Sequence, residues 1–125
     1  MRRLLILYVP GAAAPVTPVS SSGAGGLRVT WTLSAGETGS PFFAPDHAAK
    51  EVMVAGTLAG TVVNVLGALD PSFAASLYRT LNDPQGSPLS FSAAGLRGVQ
   101  ESLSAIAPEA SGGSGSGLTV TVVYR

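Results

Sequence analysis

The chain has 125 residues, with seven Lys plus Arg against seven Asp plus Glu, and only 11% of its residues are charged, under half of the roughly 25% usual in soluble domains. That length supports one hydrophobic core rather than two, and the scattered cations exclude the clustered basic footprint that neutralises phosphates, so nucleic acid is not an expected partner. With no Cys and one His, the chain lacks the usual ligands of zinc, haem and iron–sulfur centres and any thiol nucleophile, and no cofactor is expected.

At the start, Arg2 and Arg3 precede a six-residue apolar run, Leu4, Leu5, Ile6, Leu7, Tyr8 and Val9, which Pro10 ends. The run is shorter than the roughly 7–15 residues of a signal core and far shorter than the roughly 20 that span a bilayer. It therefore reads as a first strand, or an arm that adds to a sheet, with an export segment as the alternative and no membrane span. Residues 10–26 are rich in Pro, then in Gly and Ser, and have no usable period, which describes a linker or extended arm. Residues 27–33 alternate strictly, with Leu27, Val29, Trp31 and Leu33 on one face, and predict a strand.

Residues 34–49 mix Gly, Ser, Pro and Asp with Phe42, Phe43 and His47, a long loop with a short helical turn after Pro45. The β-branched runs 51–55 and 61–66 flank a connection bearing Gly56 and Gly60 and predict a hairpin. Residues 76–81 read as a strand stopped by the turn residues Asn82, Asp83, Pro84 and Gly86, and 88–92 as a short edge strand. Between 95 and 107, Leu96, Val99, Leu103 and Ile106 recur at three- and four-residue spacing, which predicts a short helix. A Gly/Ser loop at 110–117 leads into 118–124, where Leu118, Val120, Val122 and Tyr124 alternate as a strand. The expected fold is all-β, a β-sandwich or jelly-roll-like domain over 27–125 with one short helix, preceded by a strand and extended arm over 1–26. Val29, Trp31, Val52, Val54, Val63, Val65, Val120 and Val122 are expected to share its core.

Chemistry-bearing constellations are not distinguished. His47 beside Asp46 is better explained by a turn in which Asp46 caps the segment that follows, because a catalytic or ligating imidazole needs a nucleophile or a second ligand. The seven carboxylates, Glu37, Asp46, Glu51, Asp70, Asp83, Glu101 and Glu109, have ordinary turn or surface settings, so no catalytic or metal residue is assigned. The glycines of 112–117 precede a strand and no Lys follows, which fails the strand–glycine–helix context of a phosphate loop. Trp31 is in phase with core positions. Phe42 and Phe43 are adjacent between Pro41 and Pro45 and point in opposite directions if extended, so one of them is a candidate interface anchor.

The run Val52-Met-Val-Ala-Gly-Thr57 with Gly60-Thr-Val-Val-Asn-Val65, then Leu81-Asn-Asp-Pro-Gln-Gly86, Leu89-Ser-Phe91, Ala94-Gly-Leu-Arg97, Ile106-Ala-Pro108, Gly112-Gly113 and Leu118-Thr-Val-Thr-Val122 resembles the small β-sandwich proteins that decorate or cement the heads of tailed bacteriophages. The resemblance covers residues from 51 onward and excludes the first fifty. It implies a non-enzymatic virion protein that binds the major capsid protein and copies of itself, made in the host cytoplasm and resident on the phage head, with neither nucleic acid nor membrane as partner. The low charge and the mean hydropathy of +0.38 fit a chain whose surfaces are largely interfaces. Leu4, Leu5, Ile6, Leu7, Tyr8, Val9, Phe42 and Phe43 are the candidate partner-binding residues. The alternative is a carbohydrate-binding β-sandwich that stacks sugars on Trp31, Phe42, Phe43 or Tyr78.

Overall fold

A computed structural model describes residues 15–23, 25–44, 49–69, 72, 74, 77–101 and 105–125. The expected strand at 4–9, the turn after Pro45, His47 and Asp70 lie outside them. Among the described residues there are ten strands: β1 (Val19–Gly23), β2 (Gly26–Leu33), β3 (Phe42–Phe43), β4 (Lys50–Ala55), β5 (Val62–Ala68), β6 (Arg79–Thr80), β7 (Ser90–Phe91), β8 (Gly95–Val99), β9 (Ala105–Ser111) and β10 (Leu118–Tyr124). They form two sheets, β1-β2-β10-β4-β8 and β3-β9-β5-β6, with β7 also paired to β5. Every named pairing is antiparallel. The fold is a β-sandwich.

Period-two alternation decides which side chains enter the space between the sheets. On the first sheet, Val120 of β10 sits opposite Trp31 of β2 and Val54 of β4, and Val122 sits opposite Val29 and Val52. From the second sheet, Val63 and Val65 face them, and all eight expected core residues are buried in one cluster. The Trp31 indole N–H, which would be costly to bury unpaired, donates to the Ser40 carbonyl at 2.8 Å.

Four expectations are corrected. Among the described residues between 95 and 107 there is no helix; β8 and the start of β9 lie there instead. The helical spacing there is accidental, since Leu96 is 65% exposed while Val99 is buried, and Gly95, Gly98 and Pro108 all disfavour a helix. Runs 51–55 and 61–66 are strands but not a hairpin: β4 belongs to the first sheet and β5 to the second. Gly56 and Gly60, with φ of +111° and +83°, turn the chain out of one sheet and into the other, a path that side-chain-bearing residues rarely take. Within the expected linker, residues 19–23 form β1, paired to β2 through a tight Gly-bearing turn. Among the described residues of the expected strand at 76–81, Arg79–Thr80 alone is a β-strand.

Candidate functional site

The two adjacent phenylalanines of β3 divide as the alternation requires. Phe42 pairs with Ile106, packs against the core and lies 5.9 Å from the Tyr124 ring. Phe43 pairs with Ala105 and is 47% exposed, so it is the one that a partner could touch. Leu4, Leu5, Ile6, Leu7, Tyr8 and Val9 lie outside the described residues. The stacking residues of a sugar platform are not gathered: Trp31 is in the core, and Tyr78 is buried against Ala68, Ala105 and Ala107 on the outward side of the second sheet.

The sheet surfaces carry features with no local signal in the sequence. Met53 and Leu96 stand directly opposite one another on β4 and β8, both exposed, beside a shallow groove of about 460 Å³ that Arg28, Glu51, Thr121 and Val123 complete. On the second sheet, a groove of about 250 Å³ is lined chiefly by Pro15, Pro41, Leu66, Tyr78, Ala107 and Pro108. Among the described residues β1 ends the first sheet, and all five of its residues are exposed. Val-Ser-Ser-Ser-Gly has neither charge nor proline, the devices that usually keep a strand edge from pairing with another chain.

The polar residues are organised at the β8 edge of the sandwich. Asp83 accepts hydrogen bonds from the backbone N–H groups of Gln85 and Ser87 at 3.0 and 2.9 Å. Its other oxygen accepts from Arg97 Nη2 at 2.7 Å and Nε at 3.2 Å. Arg97 also donates to the Pro88 carbonyl at 3.0 Å and lies over the Phe91 ring. One carboxylate thus holds the 83–87 turn closed and ties it to β8. Beside it, Glu101 accepts from both the backbone N and the side-chain Nδ2 of Asn82, at 2.8 and 2.9 Å. Lys50, in phase with Val52 and Val54 on β4, is only 4% exposed. Burial pulls its pKa below the ordinary lysine value, and the Glu101 carboxylate opposes that shift. On the outward side of the second sheet, Asn64 donates to Glu109 at 3.2 Å and Ser90 donates to Asn64 at 2.6 Å.

No family model, curated protein or solved structure matches this chain. Among the described residues no three His, Cys, Asp or Glu side chains converge as metal ligands, and no helix is long and apolar enough to cross a membrane.

The Asp83 turn gives this edge a defined acid response. Hydrogen bonds from Arg97, then from the Ser87 backbone, hold its carboxyl below the usual carboxylate range. A carboxyl whose pKa is lowered by folding stabilises the fold in full above its unfolded value of about 3.9, and that stabilisation is lost as pH falls through the lower folded value. Asp83→Asn is therefore expected to be less stable than the parent at pH 7, with the gap narrowing below about pH 4. Urea midpoints at the two pH values measure this, and a gap that does not change with pH would be incompatible with a structural role for the charged form.

Proposed function

We propose that this chain is a non-enzymatic virion structural protein, a capsid-decorating or cementing subunit of a tailed bacteriophage that binds the major capsid protein and further copies of itself on the phage head. The reading rests on the strand and turn motifs from Val52 to Val122. The observation that carries it furthest in the fold is the unguarded β1 edge, which an extended segment of a neighbour can join by strand addition. Phe43 and the Met53–Leu96 pair add apolar contact area on the two outward faces, of the kind that serves protein–protein contacts better than soluble ligands. In this reading the apolar run at 4–9, expected from its sequence to be extended, is the segment of a neighbouring copy that joins this edge. Fourteen residues precede Pro15, enough to reach up to roughly 46 Å when extended.

A purified phage particle decides the matter. The chain is expected in dissociated virions at a fixed ratio to the major capsid protein, and its absence from them would remove the reading. Deleting residues 1–14 is expected to leave a folded sandwich, because β1 and the whole core are retained, while occupancy on particles falls at least tenfold in a sedimentation assay. Full occupancy by the truncated chain would transfer the attachment role from the N-terminal run to the β1 edge and Phe43.

A further inference from the structure

The two edges of the first sheet differ. The β8 edge is covered by the 82–88 segment: the Gln100 N–H bonds the Asn82 carbonyl at 2.8 Å, Arg97 reaches Asp83 and the Pro88 carbonyl, and Pro84 lies 3.4 Å from where a Cβ on Gly98 would stand. The β1 edge has no such cover among the described residues, and the bonding directions of its groups follow from the registers. Direction alternates along a strand. The Arg125 N–H bonds the Ala49 carbonyl on the β4 side, so odd-numbered residues of β10 turn to β4 while Val120, Val122 and Tyr124 turn to β2. Their partners Trp31, Val29 and Leu27 occupy the β10 side of β2, which leaves Arg28 and Thr30 to bond Ser21 and Val19 of β1. Ser20 and Ser22 therefore direct their N–H and carbonyl groups away from the sheet, and they bond no described residue.

We propose that two copies of the free chain pair β1 with β1 in antiparallel, about a twofold axis at Ser21. In this register Ser20 of each copy stands opposite Ser22 of the other, so all four outward residues meet as hydrogen-bonded pairs and Ser21 faces Ser21 as a pair without backbone bonds. No other antiparallel register does as well. A slip of one residue sets bonding positions against positions already bonded to β2. A slip of two in one direction sets Ser22 opposite Pro18, which has no N–H to give, and in the other it carries Ser20 past the end of the second copy's β1 at Gly23. The side chains fit the same register. Val19, 75% exposed, stands opposite Gly23 of the second copy, where a Cβ would have nothing within 4 Å, so a valine has room over a residue with no side chain.

Electrostatics do not oppose the pairing. β1 carries no charge, and the nearest one on its outward face is Arg28, opposite Ser21. Across the axis the two Arg28 positions are three strand spacings apart, about 14 Å, beyond the screening length of about 8 Å at physiological salt. The product is one continuous sheet made from the five strands of each copy, with the unguarded edge of both closed. Five residues a side is far below the roughly 20–30 of a stable interface, so the dimer is a weak one, with a Kd on the order of 0.1 mM. The pairing uses the edge that the virion reading also uses but does not rest on that reading: on a particle, the 4–9 run of a neighbour would take its place.

A chain with no Cys allows the register to be tested with single cysteines in the full chain, without any particle. Facing residues of a pair without backbone bonds have Cα atoms about 4.5 Å apart, within the roughly 4.4–6.8 Å that a disulfide bridges. Ser21→Cys is expected to form a covalent dimer under mild oxidation at least tenfold faster than Val19→Cys, whose two copies would stand about 14 Å apart along the strands. A mixture of Val19→Cys and Gly23→Cys is expected to give chiefly the mixed disulfide. Equal rates for Ser21→Cys and Val19→Cys overturn the register, and they are the result expected if the 4–9 run covers this edge instead. Sedimentation of the parent tests the pairing itself: a chain still monomeric at about 1 mM, tenfold above the expected Kd, overturns it. Ser22→Pro removes an outward N–H and no bond to β2, a change that edge strands accept, and with native Trp31 emission it is expected to associate at least tenfold more weakly. Association at parent strength in Ser22→Pro overturns the assignment to β1.

Discussion

Val120→Asp is expected to leave no folded population at room temperature. Val120 is fully buried at the middle of β10, with Trp31 opposite on one neighbouring strand and Val54 opposite on the other. Across the sandwich it faces the Val63 and Val65 side of the core, so a carboxylate there is set among apolar side chains, and the Trp31 N–H opposite is already bonded to the Ser40 carbonyl. Burial of an unpaired charge costs several kcal/mol even after relaxation, against a total stability of about 5–15 kcal/mol for a domain. The control is Thr121→Asp, one residue along the same strand and facing outward, where a change of about 1 kcal/mol or less is expected. Far-ultraviolet circular dichroism and the emission of Trp31 report the difference. A Val120→Asp chain with native emission and a cooperative urea transition would mean that the two sheets do not pack as described.

The same alternation explains how much of the fold could be read in advance. β2, β4, β5 and β10 were legible because each has one buried and one solvated face, so apolar residues fall on every second position. Lys50 obeys that pattern too: it is two residues before Val52, and its phase alone marks it as inward. β9 was not legible, because Ala105, Ile106, Ala107 and Pro108 are buried in succession. Tyr78 and Leu66 cover its outward side, so no alternation survives, and Pro108 argues against a strand interior. β1 failed for the opposite reason. All five of its residues are exposed, and no burial selects its side chains.

The candidate surfaces were legible only where a side chain was conspicuous. Adjacent Phe42 and Phe43 pointed to one exposed aromatic, and the register decides that it is Phe43. The Asp83–Arg97 pair and the Asn82–Glu101 pair span 14 and 19 residues, and they form because β8 folds back on β4 and brings the 97–101 stretch beside the 82–88 turn. That juxtaposition depends on the strand order, which a helix over 95–107 would have abolished. Misreading β8 therefore concealed the whole polar edge, including the setting of Lys50.

Thr61→Val is expected to destabilise the sandwich by about 1–3 kcal/mol although it keeps the shape of the side chain. Thr61 is fully buried where the chain passes from the first sheet into β5. Its hydroxyl donates to the Gly112 carbonyl at 2.9 Å and accepts from the Gly115 N–H at 2.8 Å, while its own N–H closes a turn onto the Leu58 carbonyl. A single oxygen thus gives the Gly/Ser-rich 112–117 loop, which has almost no side chains of its own to pack, an anchor on the opposite corner. Valine removes that anchor and leaves the buried Gly115 N–H unpaired, and the lost desolvation of such a donor exceeds the small gain from an extra methyl. Thr61→Ser is expected to retain most of the stability, because the oxygen stays and only a methyl is lost. Amide exchange provides the local measurement: protection at Gly115 should fall in Thr61→Val well beyond the global loss and stay near the parent value in Thr61→Ser. Equal midpoints for the parent and Thr61→Val would place the anchor of the loop in the Ala35–Gly115 and Ser114–Ala59 backbone bonds instead.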